Sequence, residues 1–546
     1  MRAVTLVVEP PDDGAETEED SGDEDHMSPD NFSGAQLRAS ADIQINDENV
    51  DDIDARQTWP NSSETNWSSR HLEDSSLPNQ ILFEKHFNDS VSTPVDFFEL
   101  FFDNEVIELI VTETNHYART VHADHSFSTT NNEIRCFLGL LLLSGYATVP
   151  RWRMWWQTNT ETHNPVVTNS MRRNRFDLLK KYLHVADNES LEQSDKYAKV
   201  RPLLAMVNER FLRHAPLERK LCIDETMVPY FGRHSGKQYL KGKPMRYGYK
   251  LWSLATRLGY LVQCEPYQKT EASTELGLGG QVVLDLLSEL PTDENLPYHV
   301  YGDRFFSSVK LVRHLSVHNV HYTGTILPNR TEKCPVIDEK VNERGDFVFK
   351  TSTESIQVVK WHDNRPVLMI SNADDVLPVT NASRWCKRAK NRVDVPQPNT
   401  VRQYNEFMGG VDRFDQNVNQ YRVAIRSKKW WWPLFAFCID AACQNAWQLY
   451  RSVLKMREET PIDLLAFRRH IARTYLKLET DCGRTRLSSA VSTRVLPDVR
   501  YDGLNHWIQV IATQRRCALC GKKSTRVCEK CDVGLHDVCF KSYHSR

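Results

Sequence analysis

Positive charge is nearly missing from the first 56 residues, which hold 17 acids against 3 bases. The rest of the 546-residue chain carries 66 Lys and Arg against 55 Asp and Glu, so a net charge of only −3 conceals an acidic segment ahead of a moderately basic body. Such a body suits a polyanionic partner, although dispersed positive charge also serves as solvated surface. Long apolar runs are lacking too: no stretch reaches 18 residues, which excludes a bilayer-spanning helix. The apolar AVTLVV near the start leads into a Pro- and Asp-rich run, and no secretory leader is read there. Paired cysteines are scarce. Eight of the 13 are scattered singly and five lie in the last 30 residues, which disfavours a disulfide framework and fits an intracellular chain with one metal module. No internal repeat is found.

Residues 1–94 are rich in Ser, Asn, Asp and Glu with few clustered apolar residues, and are read as a disordered acidic tail. Helical periodicity begins at PVDFFELFFDNEVIELIVTETNHYART and continues in the apolar NNEIRCFLGLLLLSGYATVP. In NSMRRNRFDLLKKYLHVAD, Arg172, Arg173 and Arg175 flank an apolar stripe, either as the charged outer face of a core helix or as phosphate contacts. These helices define a domain over 95–215.

From residue 219 the texture becomes short and β-rich. KLCIDE, YKLWSLATR and YLVQCEPYQ read as successive strands, GGQVVLDLLSEL as a helix and HVYGD as a strand, followed by helical SVKLVRHLSVHN and extended HYTGTILP. This is an α/β layout with helices on a mixed sheet, in the order of an RNase H-like core. Asp224 ends the first strand and Asp303 follows a later one, so adjacent strands would bring the two carboxylates together. Asp412 and Asp415, three apart in GVDRFDQNVNQYR, share a helix face. Such acids offer hard oxygen ligands for Mg²⁺ or Mn²⁺, and two such ions activate a nucleophile and stabilise a leaving oxygen in phosphoryl transfer.

The stretches CIDETMVPYFGRHSGKQYLKGKPMRYGYKLW, YGDRFFSSVKLVRHL and YNEFMGGVDRFDQNVNQYRVAIRSKKWW resemble piggyBac-type DNA transposases, in the family's order. The resemblance covers roughly residues 95–546. It implies an RNase H-like core split into 216–328 and 401–480 by a β-rich insertion domain at 329–400, with the 95–215 helices serving DNA binding and dimerisation. It places the catalytic acids on Asp224, Asp303 and Asp412, with Asp415 nearby, while Arg304 stands where the family often has Asn. It also implies cut-and-paste transposition at TTAA through a hairpin intermediate, on double-stranded DNA, by a nuclear homodimer with no small-molecule cofactor. The alternative is a domesticated, inactive DNA or chromatin binder. GDFVFKTSTESIQVVKWHDNRPVLMISN alternates like a small antiparallel sheet, and the RWCKRAKNR that follows suits a solvated loop, a DNA contact or a nuclear import signal. Trp430, Trp431 and Trp432 read as core packing, with Lys428 and Lys429 as possible phosphate contacts.

After a linker at 481–505, the 506–546 segment reads C-x₂-C-x₇-C-x₂-C-x₄-H-x₂-C-x₄-H, seven soft ligands in 28 positions. Cys517, Cys520, Cys528, Cys531, His536, Cys539 and His544 suit tetrahedral Zn²⁺ but fall one short of two complete sites; the family resemblance offers His506 as the eighth donor, with a water or an incomplete site as the alternatives. So short a segment needs metal to fold. Arg515, Arg516, Lys522, Lys523 and Arg526 surround the ligands as candidate phosphate contacts.

Overall fold

Capping chemistry sets where the first helices begin. Thr93 and Asp96 form a capping box at Pro94–Glu99, each side chain accepting the other's backbone N–H. Asp103 and Thr130 cap Asn104–Thr120 and Asn131–Ser144 in the same way with their side-chain oxygens. The computed structural model describes residues 65–73, 81–83, 91–240, 246–268, 275–291, 297–386, 390–481, 500–501 and 503–545, together with strands Val4–Val8 and Ala41–Ile45. Asn131–Ser144 is buried almost all round, from Ile134 to Ser144, and packs on Leu464–Asp481. Gly139 permits that approach: a Cβ there would stand 3.0 Å from the Cβ of Tyr475.

From Lys220 the chain builds a sheet. Lys220–Pro229, Tyr247–Thr256 and Leu261–Pro266 are antiparallel neighbours. After the Gly277–Ser288 helix, His299–Gly302 pairs parallel to Lys220–Pro229, and after the Val309–Val317 helix, His321–Thr325 pairs parallel to His299–Gly302. Strands and helices thus follow in the order read from the sequence, apart from the short Lys237–Tyr239 strand, which adds to Tyr247–Thr256.

The segment expected to form a small insertion sheet instead prolongs this one. Pro366–Ser371 pairs antiparallel with His321–Thr325, then come Gln357–His362, Phe347–Ser352 and finally Trp67–Ser68, completing ten strands. The edge of His321–Thr325 would otherwise leave its N–H and C=O groups unpaired, and this extension satisfies them. Thr380–Cys386 and Asn391–Gln397 make a separate hairpin.

Strands also occur within the stretch read as a disordered tail. Val4–Val8 pairs with Ala41–Ile45, Trp67–Ser68 joins the large sheet and Ile81–Phe83 pairs with Leu217–Glu218. The remainder of that reading, outside 65–73 and 91–94, lies beyond the described residues, as does most of the linker. Among the described residues no helix is long and apolar enough to cross a membrane.

Trp432–Met456 carries the core on its buried side chains, with Trp431 and Trp432 inside and Trp430 stacked on His234 at 4.0 Å. One ion pair is sealed within these helices. Arg468 Nη2 donates to Asp440 Oδ1 at 2.7 Å and Arg468 Nε to the Leu142 carbonyl at 3.0 Å, while Asp440 Oδ2 accepts the Val423 N–H at 3.0 Å. Arg468→Met strands a buried carboxylate and should cost about 3–5 kcal/mol of stability, whereas Asp440→Leu combined with Arg468→Met should recover most of it. Urea unfolding of the three chains checks this; equal losses in the single and double variants would refute it.

Candidate active site and metal centres

The parallel register decides where the acids meet. Gly302 stands opposite Ile223, so the next residue along each segment is an aspartate: Asp303 just past its strand, and Asp224 midway along Lys220–Pro229 rather than at the strand end the sequence suggested, because pairing with Tyr247–Thr256 carries that strand on to Pro229. Side-chain oxygens of Asp224, Glu225 and Asp303 all lie within 4.8 Å of one another, each residue half-buried. Asp224 Oδ1 accepts the Glu225 N–H and Asp303 Oδ1 the Phe305 N–H, both at 2.8 Å. Lys250 Nζ lies 3.8 Å from Glu225 Oε2 and 3.9 Å above the Trp252 ring. Burial raises the Asp303 carboxyl above its ordinary value and the Glu225 charge adds to this, while the Phe305 N–H and Lys250 offset part of it. Crowded carboxylates of this kind are stabilised by a cation.

Asp412 comes from a different element, the first turn of the Gly410–Gln420 helix, where an acid also suits the positive helix end. Gly410 lets that turn rest directly on the strands. A Cβ there would stand 2.3 Å from the Thr256 carbonyl oxygen and 2.6 Å from Cys222 Sγ. Asp303, Asp224 and Asp412 all act on the Tyr404 hydroxyl, whose pKa burial raises first and their charges further. The tight group of three is completed by Glu225, however, and not by Asp412. Glu225 does not stand among the candidate ligands named from the sequence. The signal for Glu225 was its position beside Asp224; both lie beyond the last residue that His299–Gly302 pairs. Asp415 lines a small hollow with Thr226, Pro229, Arg422 and Asp440.

The C-terminal module holds two groups of four ligands. Cys517, Cys520, His536 and Cys539 form one; His506, Cys528, Cys531 and His544 form the other. They alternate along the chain, so each group is closed across the other. His506 Nδ1 stands 3.4 Å from both Cys528 Sγ and Cys531 Sγ, and His536 Nδ1 stands 3.4 Å from Cys520 Sγ. Sulfur at roughly 2.3 Å and nitrogen at roughly 2.0 Å from a tetrahedral ion would be roughly 3.5 Å apart, so these residues fit such an ion. His506 stands where an eighth donor is required. Besides the ligands, the module's apolar core contains little more than Val533, Leu535 and Tyr543.

The basic residues divide. Arg172, Arg173, Lys428, Lys522 and Lys523 are exposed. Arg175 donates to Glu133 Oε2 at 2.6 Å and lies over the Phe127 ring, so it joins two helices and is not offered to a ligand. Lys429 Nζ donates to the carbonyls of Lys181 and Leu183 at 2.9 and 2.6 Å, closing the end of Arg173–Tyr182. Their partners lie 42 and more than 240 residues away, beyond any local pattern. In the C-terminal module Arg515 pairs with Asp532 at 2.6 Å, Arg526 pairs with Asp537, and Arg516 donates to the Gly521 carbonyl at 3.1 Å.

A family profile described as Transposase IS4 matches residues 93–447. Human PiggyBac transposable element-derived protein 2 is 40% identical over 561 residues, spanning 99% of this chain and 93% of its own length. Human PiggyBac transposable element-derived protein 3 is 41% identical over 461 residues, spanning 83% and 76% respectively. The fold is similar to that of a chain from the cryo-EM structure of a piggyBac transposase synaptic complex with hairpin DNA. The TM-score is 0.62 at 19% identity, over 82% of this chain and 98% of that one. The acid-bearing sheet, its ordered helices and these similarities together establish that the chain belongs to the piggyBac transposase family.

Proposed function

We propose that the protein is a DNA transposase that cuts and pastes at TTAA sites by hydrolysis and transesterification through a hairpin intermediate. The observation that carries this reading is the placement of Asp224 and Asp303 as register neighbours, with Glu225 completing the carboxylate group. The central strand order, three antiparallel strands followed by two parallel ones, supports assigning an RNase H-like core.

In this reading Asp224, Asp303, Glu225 and Asp412 hold Mg²⁺ or Mn²⁺, for which carboxylate oxygens are the matching hard donors. A bound divalent ion lowers the pKa of the attacking water or 3′-hydroxyl and stabilises the departing oxygen. Lys250, beside Glu225, offsets negative charge at the site and steadies that carboxylate between turnovers. Two Zn²⁺ ions shape the C-terminal module, whose exposed Lys522 and Lys523 face phosphates of the element's ends. Two copies of the chain pair two ends in the nucleus. The second reading, a domesticated DNA binder, is favoured by one finding: the human relatives that align along most of the chain are themselves described as transposable element-derived proteins.

Excision of a reporter flanked by the element's own ends separates the two. The natural chain should give precise TTAA repair, and Asp224→Ala, Asp303→Ala and Asp412→Ala should each lower it by roughly two orders of magnitude or more. Glu225→Gln should fall by at least about tenfold, because it removes one charge from the metal-binding group. No excision by the natural chain, with zinc-dependent binding to the ends retained, would instead establish the domesticated binder.

Zinc analysis of the purified chain should return two ions per molecule, with His506→Ala and His536→Ala each losing at least one. Chelation should unfold residues 506–546 without melting the helices and sheet upstream. Amide exchange before and after chelation checks this, and protection that stays unchanged in the module would remove zinc from its folding.

A further inference from the structure

Beneath the carboxylates lies a buried polar group that the chemistry above does not use. Asp374, fully buried, follows the Pro366–Ser371 strand. Its Oδ2 accepts hydrogen bonds from the Tyr301 hydroxyl at 3.1 Å and the Thr323 hydroxyl at 2.8 Å. Its backbone carbonyl accepts from the Thr400 hydroxyl at 2.9 Å, and its N–H donates to Ser371 Oγ at 2.7 Å. Its Oδ1 is buried without a hydrogen-bond partner, a cost that a purely structural position would be expected to shed.

These contacts reach the strand that leads to Asp303 and the helix that precedes Asp412. Tyr301 lies two residues before Asp303 and stacks on Phe407 at 5.3 Å. Thr400 begins the Asn399–Phe407 helix, which leads directly into the turn bearing Asp412. Lys220, four residues before Asp224, donates to Gln403 of that same helix at 2.9 Å, and its charge acts on Asp374. Cys222, Tyr301, Phe407 and Val411, from the Asp224 and Asp303 strands, the Asn399–Phe407 helix and the Asp412 helix, pack in one apolar cluster.

We propose that Asp374 is a positioning residue for the metal site, its side chain holding the Tyr301 strand so that Asp303 shares an ion with Asp224. It touches neither the ion nor DNA. The proposal rests on the metal-binding reading of the carboxylates, not on excision itself.

The test is Mn²⁺ binding to the full zinc-loaded chain, followed by electron paramagnetic resonance, with Asp224→Asn as the reference for loss of the site. Asp374→Ala should weaken Mn²⁺ binding about tenfold or more while zinc content and far-ultraviolet circular dichroism stay unchanged. Tyr301→Phe, which keeps the ring stacked on Phe407, should weaken it several-fold, and Asp374→Asn, which keeps an acceptor oxygen, should lie between. Unaltered Mn²⁺ affinity in Tyr301→Phe and in either Asp374 variant that folds would overturn the proposal. Identical Mn²⁺ curves for the natural chain and Asp224→Asn would overturn the metal-site reading as well. A chain that binds Mn²⁺ as expected yet gives no excision would leave the positioning role supported and remove only the transposase activity.

Discussion

Everything at the carboxylate site depends on one pairing, the parallel register that sets Gly302 against Ile223. It makes neighbours of two aspartates 79 positions apart, where the shorter strand ends and Glu225 joins them. Such crowding carries a cost. Charges within 4.8 Å of one another repel by roughly 3 kcal/mol or more per pair at an effective dielectric constant of 20. Paired strands, the closely seated Gly410 turn and the apolar cluster of Cys222, Tyr301, Phe407 and Val411 hold the acids against that repulsion.

The C-terminal module solves a different problem by a different means. Its apolar core is small, and two interleaved sets of Cys and His side chains, each able to hold a metal ion, sit within it. Interleaving also couples the halves, because the segment between members of one set carries members of the other. Arg515, Arg516 and Arg526 are engaged within the module, so Lys522 and Lys523 present the more available charge.

Basic residues show why a local pattern cannot assign a role to a charge. Arg172 and Arg175 lie on one short stretch, yet Arg172 is exposed while Arg175 is bound to Glu133. Lys428 and Lys429 divide in the same way: one is exposed, and the other closes the end of a helix formed far earlier in the chain. The strands at 345–372 were legible by their alternation, but alternation states which face is buried and not which edge a strand will join.

Sequence by itself determined the order of strands and helices, Asp303 just past its strand and the spacing of the seven C-terminal ligands, because periodicity, turn residues and ligand chemistry are local properties; Asp224, read as ending its strand, lies midway along Lys220–Pro229. Tertiary structure decided the rest: that Glu225 rather than Asp412 completes the tightest carboxylate group, that the 345–372 strands extend the main sheet, and that Arg175 and Lys429 serve the fold. Each of these turns on which distant groups come within a few ångströms, and that is settled only when strand register and helix packing bring remote parts of the chain together.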